Sequence, residues 1–349
     1  MFLIRTLQDM RNNPANASRW LRFKNNKRGY WSLWLFLFLF IVSLLAELWI
    51  NDKPLILSYQ QTWYFPIVED VPENQLGGDF DITTDYSDPY MVMQIEKKGW
   101  IIWPLVPFYF DSINFDLTEP APSPPSDINY LGTDDQGRDV LARLVYGFRI
   151  SVIFALTLTL VSSVIGIIVG AIQGYYGGRI DLFGQRLLEI WEGLPMLFML
   201  IILASFVEPT FVWLLGLMIL FSWPSLVGVV RAEFLRGRHL DYVKAARALG
   251  VSDKKIMFKH ILPNAMIATL TFMPYLFTGA LTTLTSLDFL GFGLPLGSAS
   301  LGEMVAQGKD NLHAPWLAIT AFISLSTILV LLVFIGEATR DAFDPRKSL

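Results

Sequence analysis

DYVKAARALGVSDKKIMFKHILP, residues 241–263, is the stretch on which the reading of this chain turns. Asp241 is placed to N-cap a short helix over 242–249. Gly250 supplies the left-handed residue that closes it. Ser252 caps a second helix starting at Asp253, whose acid suits the positive helix end. Pro263 is a natural break before the next apolar run. The expected result is a compact helix-turn-helix. Ala245 and Ala246 are small, so a partner's cleft is expected to close tightly over the first helix. The alternative is a basic amphipathic hairpin resting on anionic lipid.

Apolar runs flank this loop. Hydrophobic residues make up 53% of the 349 and charged residues only 17%, a balance suited to a membrane-embedded chain. A bilayer core of about 30 Å takes about 20 apolar residues in a helix. Six runs qualify: 31–50 (WSLWLFLFLFIVSLLAELWI), 150–172, 187–207, 211–230, 265–289 and 316–335. The expected fold class is an all-α integral membrane protein with six transmembrane helices. Glu189, Glu192 and Pro195 interrupt the third run. The basic lead of 1–28 is long for a signal peptide and no small-residue cleavage site follows, so the first run reads as a retained anchor.

Charge asymmetry orients the spans. The arm of residues 1–30 carries Arg5, Arg11, Arg19, Arg22, Lys24, Lys27 and Arg28 against Asp9, which places it in the cytoplasm. Six spans return the C-terminus, with Arg340, Arg346 and Lys347, to the same side. The basic loop 231–263 falls inside as well. Residues 51–138 fall outside and are acidic. Within them, WYFPIV and GWIIWPLVPFYF are candidate short strands or interfacial pieces, and EPAPSPPS (119–126) is a stiff extended linker. This external segment is either a small cap or a docking surface for a soluble partner. Residues 139–349 form the core.

Gly166, Gly170 and Gly174 recur every four residues, which lets a neighbouring helix approach closely. Glu189, Glu192 and Asp288 are candidate pathway residues, since charge inside a bilayer must face protein or water. Glu47 and Glu337 lie near span ends and read as interfacial. No cysteine is present, and the three histidines, His239, His260 and His313, lack metal-ligand spacing. No Gly-x-x-x-x-Gly-Lys-Ser/Thr occurs, so ATP hydrolysis is not expected here. Paired buried charges or midplane breaks, as in an ion-driven transporter, are not evident. A membrane-anchored scaffold would leave the loop motif unexplained.

Ala245, Ala246, Gly250, Ile261, Leu262 and Pro263 resemble the loop motif of ABC importer permeases, with Lys244 where that family carries Glu. LGTDDQGRDVLARLVYGFRIS (131–151), LDFLGFGLP (287–295) and EATRDAFDPR (337–346) resemble the dipeptide/oligopeptide (OppC/DppC-type) permeases. The long external insert and the anchor are similar to one branch, the second permease of the Yej-type importers for microcin C and oligopeptides. The resemblance implies the type I importer permease fold in a bacterial inner membrane and a non-catalytic subunit. It implies that Asp241, Tyr242, Lys244, Ala245, Ala246, Arg247, Leu249, Gly250, Ser252, Asp253, His260, Leu262 and Pro263 form the loop that docks on an ATPase. The implied partners are a homologous second permease, ATP-binding subunits that hold the ATP and Mg, a periplasmic peptide-binding protein and membrane lipid. No nucleic acid and no cofactor of the chain's own are expected.

Overall fold

A computed structural model describes residues 14–343, apart from 205, 208, 209 and 296. The expectations for Arg5, Asp9, Arg11, Arg346 and Lys347 lie outside the described residues. Among the described residues, five helices are long and apolar enough to cross a bilayer: Lys27–Leu44, Val140–Tyr176, Phe211–Gly237, Asp253–Phe289 and Pro315–Phe343.

Helix α1 (Pro14–Asn25) precedes α2 (Lys27–Leu44). Asn26 separates them and caps α2, its Oδ1 accepting from the Gly29 amide at 3.2 Å. The apolar run continues to Ile50, but the helix stops at Leu44. A short turn, Ala46–Leu48, follows, and Ile50 bridges to Val106 instead. Helix α1 and the start of α2 lie against the far end of the last helix. Phe23 clusters with Ala338 and Ala342, and Gly29 sits against Phe334 and Ala338 so closely that a Cβ would be 2.7 Å from the Phe334 carbonyl.

Residues 51–138 contain β1 (Ile56–Tyr59), β2 (Thr62–Tyr64), α3 (Pro89–Glu96) and β3 (Gly99–Ile102). The sheet order is β2-β1-β3, antiparallel throughout, with Leu57 opposite Tyr64 and Ile101. Parts of both aromatic stretches are thus strands. The sheet has its own core of Leu57, Tyr59, Leu76, Met91 and Ile95, while Trp63 and Trp100 meet edge to face on its exposed side.

Helix α4 (Val140–Tyr176) begins ten residues before the expected span, capped by Asp139 Oδ1 on the Ala142 amide at 2.8 Å. Its 37 residues reach about 55 Å at 1.5 Å per residue, more than a bilayer core is thick. The excess turns at its start hold a buried charge cluster. Fully buried Arg143 pairs with Asp134 (3.3 Å) and Glu303 (3.1 Å), and Arg138 pairs with Asp134 at 2.7 Å. Arg143 also donates to the carbonyls of Phe110 (3.2 Å) and Ser298 (3.0 Å).

The third expected span is divided. Helix α5 (Gly178–Glu192) and the nine-residue α6 (Met196–Ala204) flank Gly193, Leu194 and Pro195. Pro195 cannot donate a helical hydrogen bond and crowds the preceding turn, so the helix ends before it. Helices α7 (Phe211–Ser222) and α8 (Pro224–Gly237) form the next span, divided at Trp223, where Pro224 removes another amide. The Leu220 carbonyl, four residues earlier, instead accepts from Trp191 Nε1 at 2.9 Å. Asp181 of α5 clasps Arg231 of α8, with Nη2 to Oδ2 at 2.7 Å. Ten residues along α5 thus match eleven back along α7–α8, so the two run antiparallel.

The three glycines seat α4 on α8. A Cβ at Gly166 would lie 2.8 Å from the Trp223 carbonyl, at Gly170 2.7 Å from that of Val227, and at Gly174 2.5 Å from that of Arg231. Each contact moves four residues along both helices, as two helices in close backbone contact require.

The helix α8 continues to Gly237, so the expected loop 231–263 is shorter than its sequence bounds. After α9 (Asp241–Ala248), α10 (Asp253–Lys255) passes through a wide turn, Ile256–Ile261, directly into α11 (Leu262–Phe289). The expected break at Pro263 is therefore corrected. One extra residue in the preceding turn moves the Lys259 carbonyl away from the proline ring, and the helix continues. Helix α12 (Leu301–Asp310) and α13 (Pro315–Phe343) complete the chain.

Candidate coupling site

Helix α9 is anchored from beneath. Val243 and Ala246 are buried in a cluster with Phe234 of α8 and Ile256, Met257 and Ile261 of the wide turn. The expectation that Ala246 faces a partner's cleft is corrected. An eight-residue helix with apolar positions three apart must turn that face to the apolar surface below it. Asp241 is corrected too. The Leu240 carbonyl already accepts from the Val243 (3.0 Å) and Lys244 (3.1 Å) amides, so Leu240 occupies the cap position. Asp241 is the first helical residue, where its charge suits the helix end.

Gly250 closes α9 as expected, with φ +74° and its amide 3.0 Å from the Arg247 carbonyl. Ser252 takes the cap position of α10, with no cap bond from its side chain. Tyr175, at the end of α4, is the hub beneath. Its hydroxyl donates to Asp253 Oδ1 at 2.5 Å and accepts from Arg247 Nη2 at 3.1 Å. Its carbonyl accepts from Arg238 Nη1 at 3.3 Å. The Tyr242 hydroxyl donates to the His260 carbonyl (3.3 Å) and accepts from Asn264 Nδ2 (3.2 Å). Leu262 packs against the buried cluster, while Pro263 is exposed. The loop is thereby tied to α4, α8 and α11 at once. Sequence reasoning missed Tyr175 and Arg238; the available signal was an aromatic directly after Gly174.

The outward face of α9 presents Lys244, Ala245, Ala248 and Leu249. Leu249 is 83% exposed. Lys244 Nζ lies 3.3 Å from Asp241 Oδ1 on this open face. Tyr175→Phe removes the donor to Asp253 and the acceptor for Arg247. Each such hydrogen bond contributes about 0.5–1.5 kcal/mol, more where a charge is involved. The variant is expected to raise amide exchange across 241–252 several-fold; unchanged exchange there would remove Tyr175 from the anchor.

The candidate pathway carboxylates are not brought together by any hydrogen bond or ion pair among the described residues. Glu189 pairs with Arg186 at 2.5 Å on an exposed face of α5, and Glu192 is exposed nearby. Asp288 is buried and engaged. It accepts from Ser300 Oγ (2.5 Å) and the Leu294 amide (2.7 Å), while Ser300 Oγ caps α12 by accepting from Gly302 (3.1 Å) and Glu303 (3.2 Å). Asp288 thus clasps the 290–300 loop rather than facing an open route. Glu47 pairs with Arg149 at 2.6 Å, as an interfacial residue can, and Glu337 is exposed.

Residues 162–349 match the family described as the binding-protein-dependent transport system inner membrane component. The inner membrane ABC transporter permease protein YejE of Escherichia coli strain K12 is 58% identical over 337 residues, covering 97% of this chain and 99% of that one. The chain belongs to this family. It is accordingly a multi-pass inner-membrane permease component, and its helical core is the family's type I ABC importer fold. The peptidoglycan transport system permease protein YejE of Agrobacterium fabrum is 52% identical over 360 residues, covering 96% of this chain and 94% of that one. The oligopeptide transport system permease protein OppC of Lactococcus lactis IL1403 is 32% identical, covering 68% of this chain and 82% of that one. A solved structure of the MetNI methionine ABC transporter in inward-facing conformations aligns with a TM-score of 0.47 at 15% identity, over 58% of this chain and 96% of that one.

Proposed function

We propose that this chain is the permease subunit of an ATP-driven importer that brings peptides into the cytoplasm. The carrying observation is the outward face of α9, an exposed leucine on a helix bound to three spans. One soluble partner pressing there moves α4, α8 and α11 together. A separate ATPase is that partner, and it holds the ATP and Mg; this chain has no cofactor and no catalytic step of its own. A homologous second permease completes the route, and a peptide-binding protein delivers cargo from outside.

The contact of α1 and α2 with the end of α13 supports N- and C-termini on one side, and the basic arm puts that side in the cytoplasm. The antiparallel course of α5 on α8 supports counting the divided segment as a sixth crossing. Residues 51–138 are then periplasmic, and the exposed Trp63 and Trp100 offer the binding protein a surface. Relatives named for oligopeptide transport support a peptide cargo, with microcin C and oligopeptides as the narrower class. The relative named for peptidoglycan transport favours a second reading, in which the peptide part of a cell-wall fragment is carried.

The test is peptide uptake into vesicles holding the full complex. Uptake is expected to need ATP; uptake driven by an ion gradient without ATP would sink the proposal. Leu249→Asp tests the face itself. Burying a leucine contributes about 1.5–3 kcal/mol, and each step of about 1.4 kcal/mol is tenfold in affinity. The variant is expected to weaken ATPase binding about 100-fold at normal membrane abundance. Unchanged binding by titration would move the docking surface elsewhere.

A further inference from the structure

Just beyond the glycine seam, where α8 begins at Pro224, the spans part around a cavity of about 230 Å³. Helix α4 contributes Thr159, Ser162 and Ser163, the α7–α8 junction Ser222 and Ser225, and α11 Thr283. Tyr275, Gly279 and Ser225 are exposed and mark its open side. Among the described residues, no acid, lysine, arginine or histidine lines it.

The hydroxyls of Thr159, Ser162 and Ser163 are buried, at 5%, 7% and 3% exposure, and have no hydrogen-bond partner among the described residues. Several hydroxyls elsewhere in the spans are satisfied by their own helix. Thr157 of the same helix bonds back to the Ile153 carbonyl at 2.8 Å, and Thr271, Thr278, Thr282, Thr285 and Ser286 of α11 each bond back four residues at 2.8–2.9 Å. That back-bond is the ordinary way for a helical hydroxyl to be satisfied in an apolar setting. Three neighbouring hydroxyls that forgo it, all lining one cavity, are arranged for an occupant that both donates and accepts hydrogen bonds. An extended peptide presents amide N–H and carbonyl groups in alternation, and an uncharged lining does not discriminate among side-chain charges.

We propose that Thr159, Ser162 and Ser163 form a site where the main chain of a peptide in transit hydrogen-bonds to this subunit. The inference rests on the reading of the chain as a peptide permease. It assigns the cargo's backbone, rather than its side chains, as the feature recognised within the membrane.

The absence of cysteine from the sequence makes a direct test possible. The Ser162→Cys variant, in the full complex in vesicles, is expected to react with a small hydrophilic methanethiosulfonate reagent, read on this chain's own band. Penta-alanine supplied with ATP and binding protein is expected to slow the reaction about threefold, and its N-methylated counterpart to leave the rate unchanged. A Thr159→Val, Ser162→Ala, Ser163→Ala variant is expected to import penta-alanine about tenfold more slowly, with wild-type melting and ATPase binding. No reaction of the Ser162→Cys thiol, reaction without protection by penta-alanine, or wild-type import by the triple variant would each overturn the site. Wild-type complex that imports no penta-alanine with ATP would overturn the peptide-importer reading beneath it, which is a distinguishable result.

Discussion

Arg143→Met is expected to remove most of the folded protein, because it breaks the charge cluster at the start of α4. Methionine fills much of the same volume and leaves Asp134 and Glu303 short of one cation. The Phe110 and Ser298 carbonyls lose their donor as well. Breaking a buried ion pair by removing one partner costs about 3–5 kcal/mol, a large share of a typical stability. The effect should appear as a fall in detergent melting temperature and in membrane abundance. Arg143→Lys should fall between, since an ammonium cannot reach two carboxylates and two carbonyls in a planar fork. A Met variant that melts like the wild type would show that Arg138 alone holds the cluster.

Gly170→Leu should be nearly as severe. A Cβ there meets the Val227 carbonyl at 2.7 Å, Val230 Cβ at 3.0 Å and the Arg231 amide at 3.1 Å. Leucine adds three further carbons with nowhere to go. Gly166 and Gly174 hold the same two backbones together on either side, so α8 cannot step back locally. Overpacking of this kind costs about 1–3 kcal/mol and more where backbone must move. Gly216→Leu is the control, since no described residue comes within 4 Å of a Cβ at that position. The first variant should melt well below wild type and the second at or above it. Equal melting of the two would mean that the glycine spacing does not set the α4–α8 contact.

Five spans were legible because each is a long apolar run with a period no loop could share. The glycine stripe was legible for a similar reason: spacing by four has one geometric meaning on a helix. Gly250 was legible because few residues tolerate its backbone angle. The errors share a cause. Ala246 was assigned outward because its size was considered without its face, although Val243 three residues earlier marked the buried side. Pro263 was taken as a break because a proline's clash was weighed without the wider turn that relieves it. The Asp134–Arg143–Glu303 cluster joins distant parts of the chain, so no local pattern announces it. The unpartnered hydroxyls were invisible for the same reason: a serine in an apolar run gives no sign of whether it bonds to its own helix.

The merger of α10, the wide turn and α11 into one body from Asp253 to Phe289 has a mechanical consequence. Its 37 residues span about 55 Å at 1.5 Å per residue. The end beneath α9 and the Asp288 clasp are therefore two ends of one continuous helix. A tilt about its middle moves both ends at once and in opposite directions. Pro274 lies near that middle, so movement at one end reaches the other through a turn that lacks one backbone hydrogen bond.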